Sequence, residues 1–96
     1  MAQLFIIQRR HKADVGKPAE PWKTIGSEFD YPLAEAIVED LIADGMTEAR
    51  ALDWFDIATD EAEKLHKAFE ELSVEDHDRY EPIRIRAIMR LHQEGR

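Results

Sequence analysis

The most strongly patterned stretch of the chain is residues 30–46, DYPLAEAIVEDLIADGM. Its large apolar residues recur every four positions, at Leu33, Ile37 and Leu41. This spacing predicts a helix that turns one face towards a core. Pro32 suits the first helical turn, with Asp30 or Tyr31 as the cap before it. Gly45 stands where a residue with left-handed backbone angles often ends a helix, so we predict the end of the helix there.

Two strands are predicted before this helix. Gln3–Arg10 begins with a compact apolar run, and Trp22–Phe29 alternates between two sides, as strands do. Between them, residues 11–21 contain the Gly and Pro residues typical of a loop. We therefore predict a β-hairpin with a long connection. Because two strands alone are marginally stable, the hairpin must pack on an apolar surface, and Trp22 is expected in that core.

Residues 47–72 allow three interpretations. Thr47 can cap a helix, and the five residues after it favour helix. Apolar residues then continue at helical spacing, at Phe55, Ala58, Ala62, Leu65, Phe69 and Leu72. One long helix fits this pattern, and so do two helices broken at Thr59, which has two acidic residues behind it. A strand over Ala49–Ile57 fits less well, because its alternation places Asp53 on the apolar side.

The C-terminal part of the chain is predicted to form one more helix. Ser73–Asp76 has the spacing of a capping box, and the acidic residues Glu75–Asp78 are expected to form a polar turn. Pro82 then begins the helix, and Gly95 ends it. Apolar and Arg residues alternate directly after Pro82, which also suits a strand, so residues 82–94 stay open between helix and strand.

Together these elements predict one α+β domain over residues 1–96, an N-terminal β-hairpin packed on three to four α-helices. The length suits a single domain with a modest core. The sequence contains no cysteine, which excludes disulfides and thiolate metal sites and fits a reducing cytosol. The apolar run Leu4–Ile7 is too short for a signal or membrane segment, so a cytoplasmic protein without membrane contact is expected.

Charge is distributed along the chain in three blocks. Residues 28–81 contain eighteen of the twenty-one carboxylates but four of the thirteen Lys and Arg, a net charge of −14. Residues 1–26 and 82–96 each carry a net charge of +3. A strongly negative block sets a long-range potential that favours basic partners over nucleic acid or an anionic membrane. We therefore expect the basic ends to pair with the acidic block rather than to bind phosphate.

The acidic block contains a candidate partner-binding surface. In a helix through residues 53–70, one side opposite the apolar stripe would carry Asp53, Asp56, Asp60, Glu63 and Glu70. Including Glu61, residues 53–63 would then place a carboxylate about every 3.3 Å of helix, close to the ~3.4 Å per charge of one DNA strand. We predict that this surface binds a basic protein partner, in a groove built for phosphates, with Trp54 as an anchor. The competing interpretation is a solvated helix face.

No catalytic or metal site is predicted. The sequence has no nucleophile elbow or phosphate loop. Glu63 and His66 have the spacing of carboxylate metal sites in helical bundles, but the second copy that such sites need is missing, so His66 is expected to be a partly buried helix residue. A helix-turn-helix that includes residues 47–57 would bring carboxylates to DNA phosphates, which argues against it. We expect neither an enzyme nor a cofactor-binding protein.

Residues 44–55, DGMTEARALDWF, resemble helix-starting segments common in the small acidic accessory proteins of phages and prophages. Some of those proteins, anti-CRISPR and anti-restriction inhibitors among them, present acidic surfaces to nucleic-acid-binding machinery. The resemblance implies an inhibitor of a basic nucleic-acid-handling complex that acts by nucleic-acid mimicry, and it assigns no residue a role. The alternative function is a structural or assembly protein that self-associates, for instance as a homodimer, through the apolar stripe Phe55–Leu72.

Overall fold

Three antiparallel strands form one sheet, in the order β2-β1-β3. The structure, a computed structural model, describes residues 4–56 and 59–95, without the side chains of Asp56 and Thr59. The strands are β1 (Phe5–His11), β2 (Lys23–Glu28) and β3 (Thr47–Asp53). The predicted hairpin is therefore present as β1 and β2. Because successive side chains of a strand point to opposite faces, the central strand β1 has residues on two faces.

Three helices accompany the sheet, which confirms the α+β class. They are α1 (Tyr31–Ile42), α2 (Thr59–Glu70) and α3 (Val74–Gln93). The prediction for α1 is confirmed at its start, where the Leu33 N–H donates to Asp30 Oδ2 at 3.2 Å. It also holds after its end, where Gly45 has φ 74°. Over the described residues, no helix is long and apolar enough to cross a membrane.

The main core lies on one face of the sheet, against α1 and α3. The sheet contributes Phe5, Ile7 and Ile25. The helices contribute Leu33, Ala34, Ala36, Ile37, Leu41, Tyr80, Ala87 and Leu91. Ile25 reaches this face because the β1–β2 register shifts, with Ile7 opposite Gly26 and the next β1 residue opposite Thr24. The shift is a β-bulge, and it inserts Ile25 as a residue without a partner on β1.

Residues 47–53 form a strand, so the predicted helix at this position is wrong. β3 pairs with β1 in regular register along its whole length, which satisfies the second edge of β1. The small side chains of Ala49 and Ala51 pack on the core, where β3 contacts α1. Helix propensities differ by less than about 1 kcal/mol per residue among these residue types, and long-range strand pairing outweighs them. The strand alternative over Ala49–Ile57 has the correct type with shifted bounds, and a helix-turn-helix is excluded.

A single helix through residues 47–72 is wrong for the same reason. After β3 the chain forms a short 3₁₀ turn, Trp54–Asp56. α2 then begins at Thr59, with Asp60 and Glu61 in its first turn. These acidic residues interact favourably with the positive end of the helix dipole, as expected for a helix that starts at Thr59. Ala58 of the apolar stripe lies outside the described residues.

α3 starts earlier than predicted. The Asp76 N–H donates to Ser73 Oγ at 3.1 Å, and the Ser73 N–H donates to Asp76 Oδ2 at 3.3 Å, so the capping box is real. Glu75–Asp78 therefore belong to α3 rather than to a polar turn, and Pro82 lies inside the helix rather than at its start. Pro82 removes one helical N–H, on an exposed side of the helix where water can serve the carbonyl left free. A strand over residues 82–94 is excluded.

α3 is held on the sheet by a buried polar contact. Glu28, 6% exposed, accepts hydrogen bonds at Oε1 from the Tyr80 hydroxyl and from Arg84 Nε, both at 2.8 Å. Burial raises the pKa of the Tyr80 hydroxyl, and the hydrogen bond to Glu28 raises it further. The Tyr80 ring lies directly on the backbone of Gly26. A side chain on Gly26 would occupy the space that this ring fills.

Gly26→Ala is therefore expected to destabilise the fold. A Cβ on residue 26 would lie 2.6 Å from Cε1 and Cζ of Tyr80. The ring is 7% exposed and tied to Glu28, so it cannot move aside freely. We expect the free energy of unfolding, measured by urea denaturation, to fall by about 1–3 kcal/mol, as at other overpacked sites.

Ser27→Ala is the matched control for this substitution, because Ser27 is next to Gly26 on β2 and pairs with Ile6 instead. Its free energy of unfolding should stay within about 0.5 kcal/mol of wild type. An alanine that fits without strain in place of glycine normally stabilises a protein by ~0.4–1 kcal/mol. A Gly26→Ala variant as stable as wild type would therefore contradict the packing of Tyr80 on Gly26.

A second link joins β2 to the start of α3, and it predicts a pH dependence. Lys23 Nζ donates to Asp76 Oδ1 at 3.0 Å, and Ser73 donates to Oδ2. The Lys23 hydrogen bond, followed by the two from Ser73, lowers the pKa of Asp76 to about 2. An unperturbed Asp has a pKa near ~3.9, so this link contributes stability above that pH and loses it as the pH falls towards 2.

A titration followed by the carboxyl ¹³C shift checks the value. The Asp76 signal of the wild type should show no step near ~3.9, the ordinary Asp pKa. In Lys23→Ala, which keeps the capping box, the midpoint should move up towards that value. A wild-type midpoint at the ordinary value would show that the Lys23 contact is not formed.

Candidate functional site

The carboxylates predicted to bind a partner are divided between separate elements. Asp53 is the last residue of β3, and its Oδ1 accepts from the Phe55 N–H at 3.1 Å. Asp56 lies in the 3₁₀ turn, and its side chain is outside the description. The remaining three lie exposed on α2, at Asp60, Glu63 and Glu70. The predicted continuous line of charge on one helix is therefore wrong, because β3 ends before α2 begins, and the partner-binding role stays a prediction.

The carboxylates at the start of α2 are not neutralised within the fold. Asp60, Glu61 and Glu63 form no ion pair with any described residue, although Lys64 lies on the same helix. Further along, Glu70 is 3.2 Å from Nε2 of His66. His66 is exposed, not partly buried as expected, and this exposed pair contributes little to stability.

Five cations of the basic ends do have acidic partners among the described residues. These ion pairs join Arg10 to Glu48, Lys17 to Asp14, Lys23 to Asp76, Arg84 to Glu28, and Arg90 to Glu39, Asp40 and Glu94. Both basic ends of the chain thus pair with its acidic block, as expected. Because carboxylates outnumber the Lys and Arg side chains, the excess charge of the folded chain is negative.

Neither tryptophan belongs to the main core. Trp54 is half-buried in the 3₁₀ turn, and its backbone N–H donates to the Leu4 carbonyl at 2.8 Å. Trp22, which was expected in the core, lies just before β2 and is half-buried. The guanidinium groups of Arg10 and Arg50 lie 4.1 and 4.2 Å from its ring centre. Cation–π attraction therefore holds Trp22 on two arginines from neighbouring strands.

Trp22 forms one end of a cleft between the second face of the sheet and α2. The cleft has a volume of about 530 Å³. Its apolar lining is provided by Pro21, Trp22, Leu52, Leu65, Ala68 and Leu72. Its polar lining is provided by Gln8, Lys23, Thr24, Arg50, Glu61, Lys64, Glu71 and Asp76. The lining is therefore mixed, and a concave site of this volume is a candidate ligand site.

A hydrogen-bonded row of side chains crosses the floor of this cleft. Gln8 is opposite Thr24 on β2 and opposite Arg50 on β3, so the three side chains share one face. Arg50 Nε donates to Gln8 Oε1 at 2.9 Å, and Gln8 Nε2 donates to Thr24 Oγ1 at 3.2 Å. Gln8 and Thr24 are each 5% exposed. Burial lowers the pKa of Arg50, although an Arg side chain stays charged.

The position of Leu65 bears on the self-association alternative. Leu65 is 9% exposed and faces the cleft, and Phe69 and Leu72 are half-buried. Phe55 is 61% exposed but lies in the 3₁₀ turn, outside α2. Leu65 is thus covered within its own chain and Phe55 lies outside α2, so the stripe is not continuous on one helix; self-association through it stays a prediction.

Sequence reasoning missed the cleft. The one available signal was the alternation in β1, where Gln8 and Arg10 follow Ile6 on the same side. Because residues 47–53 were assigned to a helix, nothing placed Arg50 beside Gln8. The polar row becomes visible only once β3 is paired with β1.

The cleft shows no metal-binding chemistry. Among the residues described by the structure, no group of three or more His, Cys, Asp or Glu side chains is placed to hold a metal ion. No protein-family model, curated protein or solved structure was found to match this chain.

Proposed function

We propose that this protein is a non-enzymatic binding module that presents the acidic face of α2 to a basic surface of another protein. The observation that carries the proposal is the contrast in pairing within the fold. Asp60 and Glu63 have no cationic partner among the described residues, and Glu61 has none at ion-pair distance. Five cations of the basic ends, by contrast, have carboxylate partners. α2 itself has four carboxylates and two lysines, a net charge of −2.

Such a surface favours fast and selective association with a basic partner. Complementary charge steers the diffusional encounter and disfavours partners of like charge. It attracts neither a nucleic-acid backbone nor an anionic lipid surface. Exposed charges are screened beyond about 8–10 Å at moderate salt, so the binding should weaken steeply as salt rises.

A narrower form of the proposal is a phage-type inhibitor that occupies the phosphate groove of a nucleic-acid-handling complex in the cytoplasm. It rests on the resemblance of residues 44–55 to helix-starting segments of phage accessory proteins, although Thr47–Asp53 form β3 rather than a helix. The spacing of the charges no longer supports it, because Asp53 and Asp56 lie outside α2 and because Lys64 and Lys67 interrupt its acidic residues. Competition with duplex DNA therefore has to decide the narrower form.

The test is a pair of triple charge reversals with equal net charge. The α2 variant carries Asp60→Lys, Glu63→Lys and Glu70→Lys. The control variant carries Glu20→Lys, Glu35→Lys and Asp78→Lys, at exposed sites away from α2. Each variant raises the formal net charge from −8 by six units. Both should stay folded, with a loss of about 0.3–1 kcal/mol where Asp60 interacts with the helix dipole.

Wild type and both variants are immobilised and exposed to one lysate of the source cells, and the retained proteins are quantified by mass spectrometry. We expect a set of basic proteins that wild type and the control variant both retain. The α2 variant should not retain them. If no protein shows this pattern, the α2 face is not the binding surface. If the protein is an inhibitor that occupies a phosphate groove, duplex DNA should release the same proteins. If they stay bound in excess DNA, the inhibitor proposal is rejected and the binding-module proposal is not.

A further inference from the structure

We propose that the cleft between the sheet and α2 binds an organic monocarboxylate, with the carboxylate on Arg50 and the apolar body against Trp22 and Leu65. The proposal concerns the face of the sheet opposite the main core, and it does not depend on the acidic face of α2. The carboxylate has two natural sources, a free small acid and the C-terminus of a peptide.

Arg50 provides donors that the fold does not use. Its Nε donates to Gln8, and no carboxylate of the described residues lies within ion-pair distance of its guanidinium. Its two terminal nitrogens have no hydrogen-bond partner among the described side chains. A guanidinium has five donors in a planar fork that matches a carboxylate in two parallel bonds. A half-buried Arg in this state is unusual, because buried charges are normally paired.

The fork is also held in place. Gln8 is fixed between Arg50 and Thr24, and both of these hydrogen bonds lie on the floor of the cleft. The Trp22 ring lies 4.2 Å from the same guanidinium and restricts it from another side. Because these contacts exist before any ligand arrives, binding costs little side-chain ordering.

The apolar part of the cleft suits a small organic body. The volume of about 530 Å³ lies within the ~300–1,000 Å³ typical of ligand sites. Its walls include Trp22, Leu52, Leu65 and Leu72, which come from three different segments of the chain. Burial of apolar groups against them would contribute roughly 25 cal/mol for each Å² removed from water.

Charges around the cleft select a single negative charge over a phosphate dianion. Lys23 is neutralised by Asp76 at 3.0 Å. Arg50 and Lys64 then face Glu61 and Glu71, so the remaining lining has no net charge. Glu61 acts on Arg50 electrostatically without reaching ion-pair distance. A dianion doubles both the attraction to Arg50 and the repulsion from Glu61 and Glu71. Its desolvation cost rises with the square of its charge, so the site favours a monoanion.

The binding test uses the Trp22 ring as its reporter. Trp54→Phe leaves Trp22 as the only tryptophan, since the chain has two. The probes are 4-phenylbutyrate, its primary amide, phenyl phosphate, and an acetylated Phe-Leu dipeptide as free acid and as C-terminal amide. We expect 4-phenylbutyrate to change the Trp22 fluorescence with saturation, and the amide to bind at least about tenfold more weakly, since it lacks the charge-assisted hydrogen bonds.

Two variants localise the binding. Arg50→Gln should weaken the binding of 4-phenylbutyrate by about tenfold or more, because the substitution removes the cation. Arg86→Gln, at an exposed site on α3, is the matched control and should bind as wild type does. Ala68→Phe fills the cleft from α2 and keeps the Arg50 cation in the chain, so it should abolish binding even where Arg50→Gln fails to fold.

The other outcomes are equally decisive. Tighter binding of the dipeptide acid than of 4-phenylbutyrate, with no binding of the dipeptide amide, supports the proposal and identifies a peptide C-terminus as the source. Equal binding of an acid and its amide overturns the role of Arg50. Tighter binding of phenyl phosphate overturns the selection of a monoanion. No saturable signal with any probe on the folded protein overturns the site itself.

Discussion

The buried carboxylate of Glu28 is the contact on which the rest of the arrangement depends. It joins β2 to α3 through Tyr80 and Arg84, which lie four residues apart on one side of the helix. Charge inside a protein is costly unless it is paired, so the partners of Glu28 have little freedom to move. α2 is connected to α3 by residues 71–73, so the position of α3 limits where α2 lies over the sheet.

Elements whose ends and faces are determined by neighbouring residues could be predicted from the sequence. α1 was predicted because its cap at Asp30, its apolar spacing and its glycine stop all act within a few residues. The spacing of a capping box at Ser73 is also visible in the sequence, but Pro82 suggests a later helix start. The hydrogen bonds between Ser73 and Asp76 decide the matter, since a proline on an exposed helix side removes only one N–H.

Long-range pairing decides the parts that the sequence could not predict. Residues 47–53 have good helix formers, and only the free edge of β1 makes them a strand. The consequence for function is direct, because it separates Asp53 from α2 and brings Arg50 next to Gln8. The acidic composition therefore predicts the exposed carboxylates of α2 correctly. The predicted arrangement of these carboxylates along one helix is wrong. The cleft joins Gln8, Trp22 and Arg50, which no spacing rule relates to one another.

The most direct test of this account is the energetic coupling between Tyr80 and Glu28. It is measured with a double-mutant cycle of Tyr80→Phe and Glu28→Gln, using free energies of unfolding from urea denaturation. The account predicts that the two effects are non-additive by about 0.5–3 kcal/mol, as for residues that share one hydrogen-bond network. Effects that add to within ~0.3–0.5 kcal/mol would show that the two side chains act independently, and α3 would then need another anchor.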